Sequence, residues 1–277
     1  MILRSETAEK LERIVKRLKV VKHCIGCEGL NLEIENPEHH PSLELTQACN
    51  LNCPFCYSKL KKVRRGLYGD LDKAEALTIS QYGEPLLDIE GVKKGIELGK
   101  SYGLRVDLQT NGVLLNEELL KEFKDLGLDI VMISLSSISK YKELYGKNFV
   151  DKVLENIRLA SKYFHTIVRA IYLPGVNEKD LMEIAKLNVD EIMVHHLIIY
   201  NDKIIEKLKI DKNRLGSIKD LLFLVDEMNK ISKANVTIKG CLLVQLKEMD
   251  GFILSNVKYD SFSEVPEIKR KYQPIDF

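Results

Sequence analysis

The chain has 277 residues, and 42 Lys plus Arg oppose 41 Asp plus Glu, a formal net charge of +1. That balance argues against a dedicated duplex-binding protein, which carries a strongly basic surface. No apolar run approaches the roughly 18 residues of a membrane span. The length suits two ordinary domains or one α/β barrel, and a composition 30% charged and 45% hydrophobic is that of a globular chain with a large core. The charged N-terminus, Met1 to Leu18, lacks the apolar stretch of a secretion signal, so the expected location is the cytoplasm. In that reducing compartment close-spaced cysteines read as metal or cluster ligands rather than disulfides. There are six: Cys24, Cys27, Cys49, Cys53, Cys56 and Cys241.

Residues 1–41 read as an N-terminal helix and a cysteine-containing loop. Ser5 is a candidate N-cap, and Leu11, Ile14, Val15 and Leu18 share one helical face. The stretch His23 to Pro41 is punctuated by Gly and Pro and reads as a loop. From Ser42 short apolar strands alternate with amphipathic helices. The expected strands are Leu43–Thr46, Ala76–Ser80, Arg105–Gln109, Ile130–Leu135, Ile167–Tyr172 and Glu191–His196. The expected helices are Glu90–Tyr102, Glu117–Leu126, Val150–Tyr163 and one starting near Glu178. Serial β-α repeats imply parallel strands joined by right-handed crossovers. Six units fall short of the closed eight-unit barrel, so residues 42–200 are expected to form an α/β fold, an open partial (β/α)6 barrel with its chemistry at the C-terminal ends of the strands. Residues 201–277 read as a C-terminal extension packing on the core. They hold a helix at Ser217–Lys233, extra strands at Val236–Lys239 and Phe252–Leu254, and a polar tail whose course is not legible.

The loop after the first of those strands reads Leu45-Thr46-Gln47-Ala48-Cys49-Asn50-Leu51-Asn52-Cys53-Pro54-Phe55-Cys56-Tyr57. Three thiolates at this spacing can face one inorganic centre, and thiolates suit iron–sulfur clusters or zinc. Three ligands leave a fourth iron open; a zinc site would borrow a fourth ligand from elsewhere. This Cys-x3-Cys-x2-Cys motif, with Phe55 before its last cysteine, resembles that of the radical S-adenosylmethionine (SAM) enzymes. The resemblance extends over about Ser42 to Ile198. It implies that Cys49, Cys53 and Cys56 hold a [4Fe-4S] cluster whose open iron chelates the methionyl part of SAM. It further implies reductive cleavage of SAM to a 5′-deoxyadenosyl radical that abstracts hydrogen from a substrate, with an electron donor of ferredoxin or flavodoxin type.

Other strand ends carry related signals. Ser80-Gln81-Tyr82-Gly83-Glu84-Pro85 resembles the family's Gly-Gly-Glu-Pro motif, with Tyr82 where Gly is usual. Its bent backbone suits the SAM ammonium, and Pro85 fixes the chain direction. Gln109-Thr110-Asn111-Gly112 resembles a Thr-Asn-Gly motif, and the Asn111 amide can both donate to and accept from a zwitterion. Ser134 matches a family serine, whereas Ser136 stands where an acid is frequent. A charge inside an apolar strand is expensive unless paired, so Arg169 reads either as half of a structural ion pair or, as the resemblance implies, as a bidentate grip for the SAM carboxylate. The resemblance thus places Gly83, Glu84, Asn111, Ser134 and Arg169 around SAM. Asn177 resembles a recurring family asparagine or caps the next helix. Strand alternation sends one of His195 and His196 inward.

The CxxC pair Cys24 and Cys27, with Cys241, forms a possible auxiliary iron–sulfur site, and His23, His39 or His40 is a candidate fourth ligand. Buried apolar cysteines or a surface thiol pair are the alternatives. The basic run Lys59 to Arg65 reads as a solvated helix face, with phosphate or RNA binding as the functional alternative. The open side of six strands favours a bulky cofactor precursor, peptide, protein or RNA over a small metabolite as substrate. A single-cluster activase that makes a glycyl radical on a partner, and a non-catalytic metal-binding scaffold, are the competing readings. No membrane partner is expected.

Overall fold

The computed structural model describes residues 18–30, 34, 37–59, 62–199, 201–240, 242 and 270–277. The expected N-terminal helix, except Leu18, the strand at 252–254 and Cys241 lie outside the described residues. Among the described residues ten strands form one sheet: β1 (Lys19–Val20), β2 (Ser42–Glu44), β3 (Gly66–Tyr68), β4 (Ala76–Ile79), β5 (Arg105–Thr110), β6 (Ile130–Ser134), β7 (His165–Tyr172), β8 (Glu191–His196), β9 (Asn235–Ile238) and β10 (Tyr272–Gln273). Their order is β1-β9-β8-β7-β6-β5-β4-β2-β3-β10. From β1 through β2 every neighbouring pair is parallel; β3 and β10 add an antiparallel edge. The expected partial barrel is therefore present, widened by β9, which the sequence suggested, and by β1, which it did not.

Helices cover the outer face: α1 (Ile89–Ser101), α2 (Glu117–Asp125), α3 (Tyr141–Tyr145), α4 (Val150–Ala160), α5 (Glu178–Ile184), α6 (Asp202–Leu208) and α7 (Ile218–Ile231). Their starts follow local chemistry. Asp88 caps α1 through Gly91 N–H, Asn116 caps α2 through Leu119 N–H, and Ser217 caps α7 through Asp220 N–H. In α1, Gly95 and Gly99 weaken the isolated helix by about 1 kcal/mol each. They also let it approach the sheet: a Cβ on Gly95 would stand 2.5 Å from Leu43 Cδ2, and one on Gly99 2.5 Å from Val106 Cγ2.

Strand alternation divides the core. Val131, Ile133, Val168, Ala170, Ile192 and Val194 pack outward among the helices. Ile130, Met132, Ile167 and Met193 form a second cluster with Val21 and Cys24 of the N-terminal segment. That segment crosses the strands' starting ends and is bolted there by charge. His23 Nδ1 lies 2.8 Å from the fully buried Asp107, Arg105 Nε donates to Asp107 at 3.1 Å, and Lys22 N–H donates to Glu191, which also meets His165 Nε2 at 2.7 Å. Burial alone would raise the Asp107 pKa, but His23 and Arg105 hold it below the usual carboxylate value. No helix among the described residues is long and apolar enough to cross a membrane.

Candidate active site at the strand ends

The loop carrying Cys49, Cys53 and Cys56 leaves β2 and is braced from three sides. Gln47 Nε2 donates to Ser58 O at 2.9 Å while Val63 N–H donates to Gln47 Oε1 at 2.9 Å, so one amide closes the loop on itself. Gly83 presses against it in the left-handed region at φ +71°; a Cβ there would stand 2.2 Å from Thr46 O and 2.8 Å from Ala48 O. Glu84 N–H donates to Ala48 O at 2.8 Å. On the far side, Asn52 N–H donates to Tyr145 O at 3.0 Å, and the Phe55 ring meets Tyr145 edge-on at 6.5 Å between centroids. Sequence reading missed α3, which supplies Tyr141 and Tyr145: its five residues are too few for a periodic signal. Tyr141 keeps a buried hydroxyl without a hydrogen-bond partner, and burial followed by the Tyr145, Cys53 and Cys49 fields raises its pKa.

Glu84 joins this loop to the third expected strand. Its side chain is fully buried, accepting from Thr110 Oγ1 at 2.7 Å, Asn111 N–H at 2.7 Å and Leu86 N–H at 3.1 Å. Burial raises its pKa to about 6 against those donors. A carboxylate so engaged is a clamp rather than an open ligand contact. The clamp aims Asn111, whose Nδ2 reaches Asn50 Oδ1 at 2.6 Å and Cys49 Sγ at 3.7 Å. Glu44, which the sequence reading passed over, braces the preceding bend: its carboxylate accepts from Gln81 N–H at 3.0 Å and Tyr82 N–H at 3.1 Å. There Ser80 holds φ +59°, with its hydroxyl donating to Tyr82 O.

The three thiols line one open cavity with Gln47, Lys59 and Lys62. Burial, then the Cys56 and Cys49 charges, push the Cys53 thiol up to about 12, and burial likewise raises the Cys49 thiol. A bound metal reverses that balance by taking the thiolates as ligands. Among the described residues no three Cys, His, Asp or Glu side chains gather as ligands of a single ion. The donor set, three thiols on one loop, is the soft one iron–sulfur chemistry needs. Three thiols lining one open cavity fit such a cluster.

Ser134 and Arg169 are register partners at the ends of β6 and within β7. Arg169 Nη1 donates to Gln109 Oε1 at 2.5 Å, and its Nε has no hydrogen-bond partner. Of the two histidines His195 faces the barrel interior, where burial followed by the Arg169 and Lys239 charges drives its pKa well below the usual value. Ser136, where an acid was expected, is structural: its Oγ accepts from Ile171 N–H at 3.0 Å and its N–H donates to Tyr145 Oη at 2.7 Å. Asn177 stands at the N-cap of α5 but its side chain makes no capping bond. Its Nδ2 donates to Ser136 O and Ile171 O and its Oδ1 accepts from Leu173 N–H, tying the strand ends together.

Cys24 and Cys27 lie on the N-terminal segment, away from this loop. Cys24 packs with Met132, Ile167 and Met193, and Cys27 Sγ lies 3.4 Å from His39 Nδ1. Gly240, which precedes Cys241, packs against Leu30 and Cys24. The basic run is not a continuous helix: a 3-10 turn ends at Lys59 and β3 begins at Gly66. Lys59 Nζ ties Asn52 Oδ1 at 2.5 Å to Cys53 O at 3.1 Å, and Arg65 binds Asp88 and Phe277 O.

Comparison with known proteins bears on this architecture. The Radical SAM superfamily pattern matches residues 43–187. An uncharacterized protein of Methanocaldococcus jannaschii is 66% identical, the match covering 99% of each chain. The GTP 3',8-cyclase of Aliarcobacter butzleri is 33% identical over 51% of this chain and 49% of its own, so the match spans about half of that relative. The structure of Streptococcus suis SuiB bound to S-adenosylmethionine superposes with a TM-score of 0.58 at 15% identity, covering 90% of this chain and 60% of that one. The family match takes in the Cys49–Cys56 loop, the Gly83–Glu84 bend and the Asn111, Ser134 and Arg169 strand positions, and the chain belongs to the radical SAM superfamily of enzymes.

Proposed function

We propose that this chain binds a [4Fe-4S] cluster through Cys49, Cys53 and Cys56 and SAM across the adjoining strand ends. One observation carries the reading: the three thiols line a single cavity, and Asn111, just beyond the end of β5, brings its Nδ2 to 3.7 Å from Cys49 Sγ. When bound, the reduced cluster supplies the electron that cleaves SAM to methionine and a 5′-deoxyadenosyl radical, which removes a hydrogen atom from the substrate. The protein's own residues orient and shield. Backbone groups around Gly83 suit the SAM ammonium, Asn111 and Ser134 its polar edges, and the Arg169 guanidinium its carboxylate. Glu84 acts by position, holding Asn111 against the cluster loop. Tyr57, next in chain after Cys56, donates to Gln81 O at 2.5 Å and walls the cluster loop from the barrel interior.

The site works in the cytoplasm with a ferredoxin- or flavodoxin-type donor. A second cluster at Cys24, Cys27 and Cys241 is the further part of this proposal, supported by the first two thiols standing on one short segment with His39 Nδ1 3.4 Å from Cys27 Sγ. The relative named as a GTP 3',8-cyclase shares only about half its length, so its name lends support to the cofactor chemistry and not to a substrate.

The test is anaerobic reconstitution with iron and sulfide, dithionite reduction and assay of 5′-deoxyadenosine. SAM cleavage is expected, with iron near eight atoms per chain for two four-iron clusters and near four for one. A reconstituted protein that leaves SAM intact would sink the assignment and favour a scaffold.

A further inference from the structure

The short helix α3 borders the loop of Cys49, Cys53 and Cys56, and its first residue is left incomplete. Tyr141 is 1% exposed, yet among the described residues its hydroxyl has no hydrogen-bond partner. A hydroxyl that gives up water without gaining a partner costs stability. The ring is held where it is. It stacks on Tyr145 at 4.4 Å between centroids, and Tyr145 is itself pinned: its O accepts from Asn52 N–H, its Oη accepts from Ser136 N–H at 2.7 Å, and its ring meets Phe55 edge-on. Gly146, just after α3, sits against the same loop, where a Cβ would stand 3.1 Å from Asn52 Cβ and Asn52 O. The helix therefore lies along the stretch from Asn52 to Phe55, which contains Cys53. After burial and Tyr145, the charges that raise the Tyr141 pKa are those of Cys53 and Cys49, ahead of Glu84. The other polar groups on that side are committed: Glu84 to Thr110, Asn111 and Leu86, and Asn111 to Asn50.

A buried hydroxyl beside three sulfur donors finds its missing acceptor in what those donors hold. We infer that the Tyr141 hydroxyl donates a hydrogen bond to a sulfur of the cluster at Cys49, Cys53 and Cys56, and so sets how readily that cluster takes an electron. The inference deepens the preceding proposal and rests on it for the cluster. Hydrogen bonds to the sulfurs are one of the factors that tune iron–sulfur potentials, and groups just outside the ligands supply them. The direction follows from charge. One-electron reduction adds a negative charge to the cluster and its thiolates, and a donor is held more strongly by the more negative form, so the hydrogen bond raises the potential. The electron comes from the external reductant; the phenol keeps its proton, and no O–H bond breaks. Tyr141 joins Leu51 N–H and Asn111 Nδ2, which stand 3.5 Å and 3.7 Å from Cys49 Sγ.

The test is an anaerobic redox titration of the reconstituted protein, followed on the paramagnetic signal that SAM alters, in the wild type, Tyr141→Phe and Tyr102→Phe. Phenylalanine keeps the stack on Tyr145 and removes only the hydroxyl; Tyr102, 48% exposed at the end of α1, is the control. The cluster of Tyr141→Phe should be about tenfold harder to reduce, a fall of about 59 mV for one electron, while Tyr102→Phe matches the wild type. Proton double resonance on the reduced protein should show a coupling that exchanges in deuterated water in the wild type and is absent from Tyr141→Phe. The urea midpoint of the apoprotein separates this role from a structural one: it should not fall in Tyr141→Phe, because the hydroxyl has no partner to lose. An unchanged potential, an unchanged exchangeable coupling or a lowered apoprotein midpoint would overturn the inference. Should Tyr141→Phe lose its cluster, 3-fluorotyrosine at position 141 decides instead: a stronger donor of similar shape should raise the potential, and an unmoved potential would overturn the inference. A chain that takes up no cluster on the three cysteines sinks the preceding proposal and this one with it; one whose SAM-responsive cluster ignores residue 141 sinks only this one.

Discussion

Two groups of cysteines share this barrel and are built differently. Cys49, Cys53 and Cys56 stand on a loop whose backbone is gripped by Gln47, Gly83, Glu84 and α3, so the chain is fixed while Cys49 stays exposed. Cys24 and Cys27 stand on a segment held by ion pairs at the strands' starting ends, with Cys24 packed as a small apolar side chain among Met132, Ile167 and Met193. Sequence spacing makes both groups neighbours. What separates them is whether the surroundings restrain the backbone and leave the sulfurs open, or bury one sulfur and leave the next against His39.

If the front loop works because its backbone is held, the largest effect should follow from loosening that hold. Gly83→Ala demands a left-handed alanine and drives its Cβ into Thr46 O and Ala48 O. A loss of about 3 kcal/mol in urea unfolding is expected, with iron retention falling at the front site and not elsewhere. Unchanged stability and iron would mean that the loop is not positioned by this contact.

A smaller, pH-dependent effect should distinguish Glu84 as a buried clamp. Its pKa is raised to about 6 from 4.5, so the folded protein holds this proton more tightly than the unfolded chain does. The resulting stabilisation is complete below pH 4.5 and is lost as pH rises through 6. Relative to Glu84→Gln, which does not titrate, the wild type should lose about 2 kcal/mol across that interval in urea unfolding. A pH-independent difference between the two would show that the carboxyl is not buried as described.

The strands were legible because apolar and β-branched runs alternate with helical periods, and observed boundaries such as Ala76–Ile79 and Ile130–Ser134 differ by a residue or so from those expected. Two-residue strands such as β1 and β10 carry no local pattern; they form because a neighbouring edge is available. Tyr145 and Glu44 were invisible for another reason. Each matters through backbone groups distant in sequence, Asn52 and Ser136 for one and Gln81 and Tyr82 for the other. Asn177 illustrates the limit of motif logic, since an asparagine before a helix reads as a cap, whereas here its amide ties Ser136 to Ile171. The alternation of β8 narrowed the inward histidine to one of two, and only the assembled sheet selects His195.

Electron paramagnetic resonance of the dithionite-reduced, reconstituted protein, recorded with and without SAM, tests most directly whether the front trio leaves an iron open to a ligand. The wild type and a Cys24→Ala/Cys27→Ala double variant are expected to change spectrum when SAM is added, and Cys56→Ala to show no such change. Spectra identical with and without SAM in the wild type, or a SAM response that survives in Cys56→Ala and vanishes in the double variant, would contradict the account.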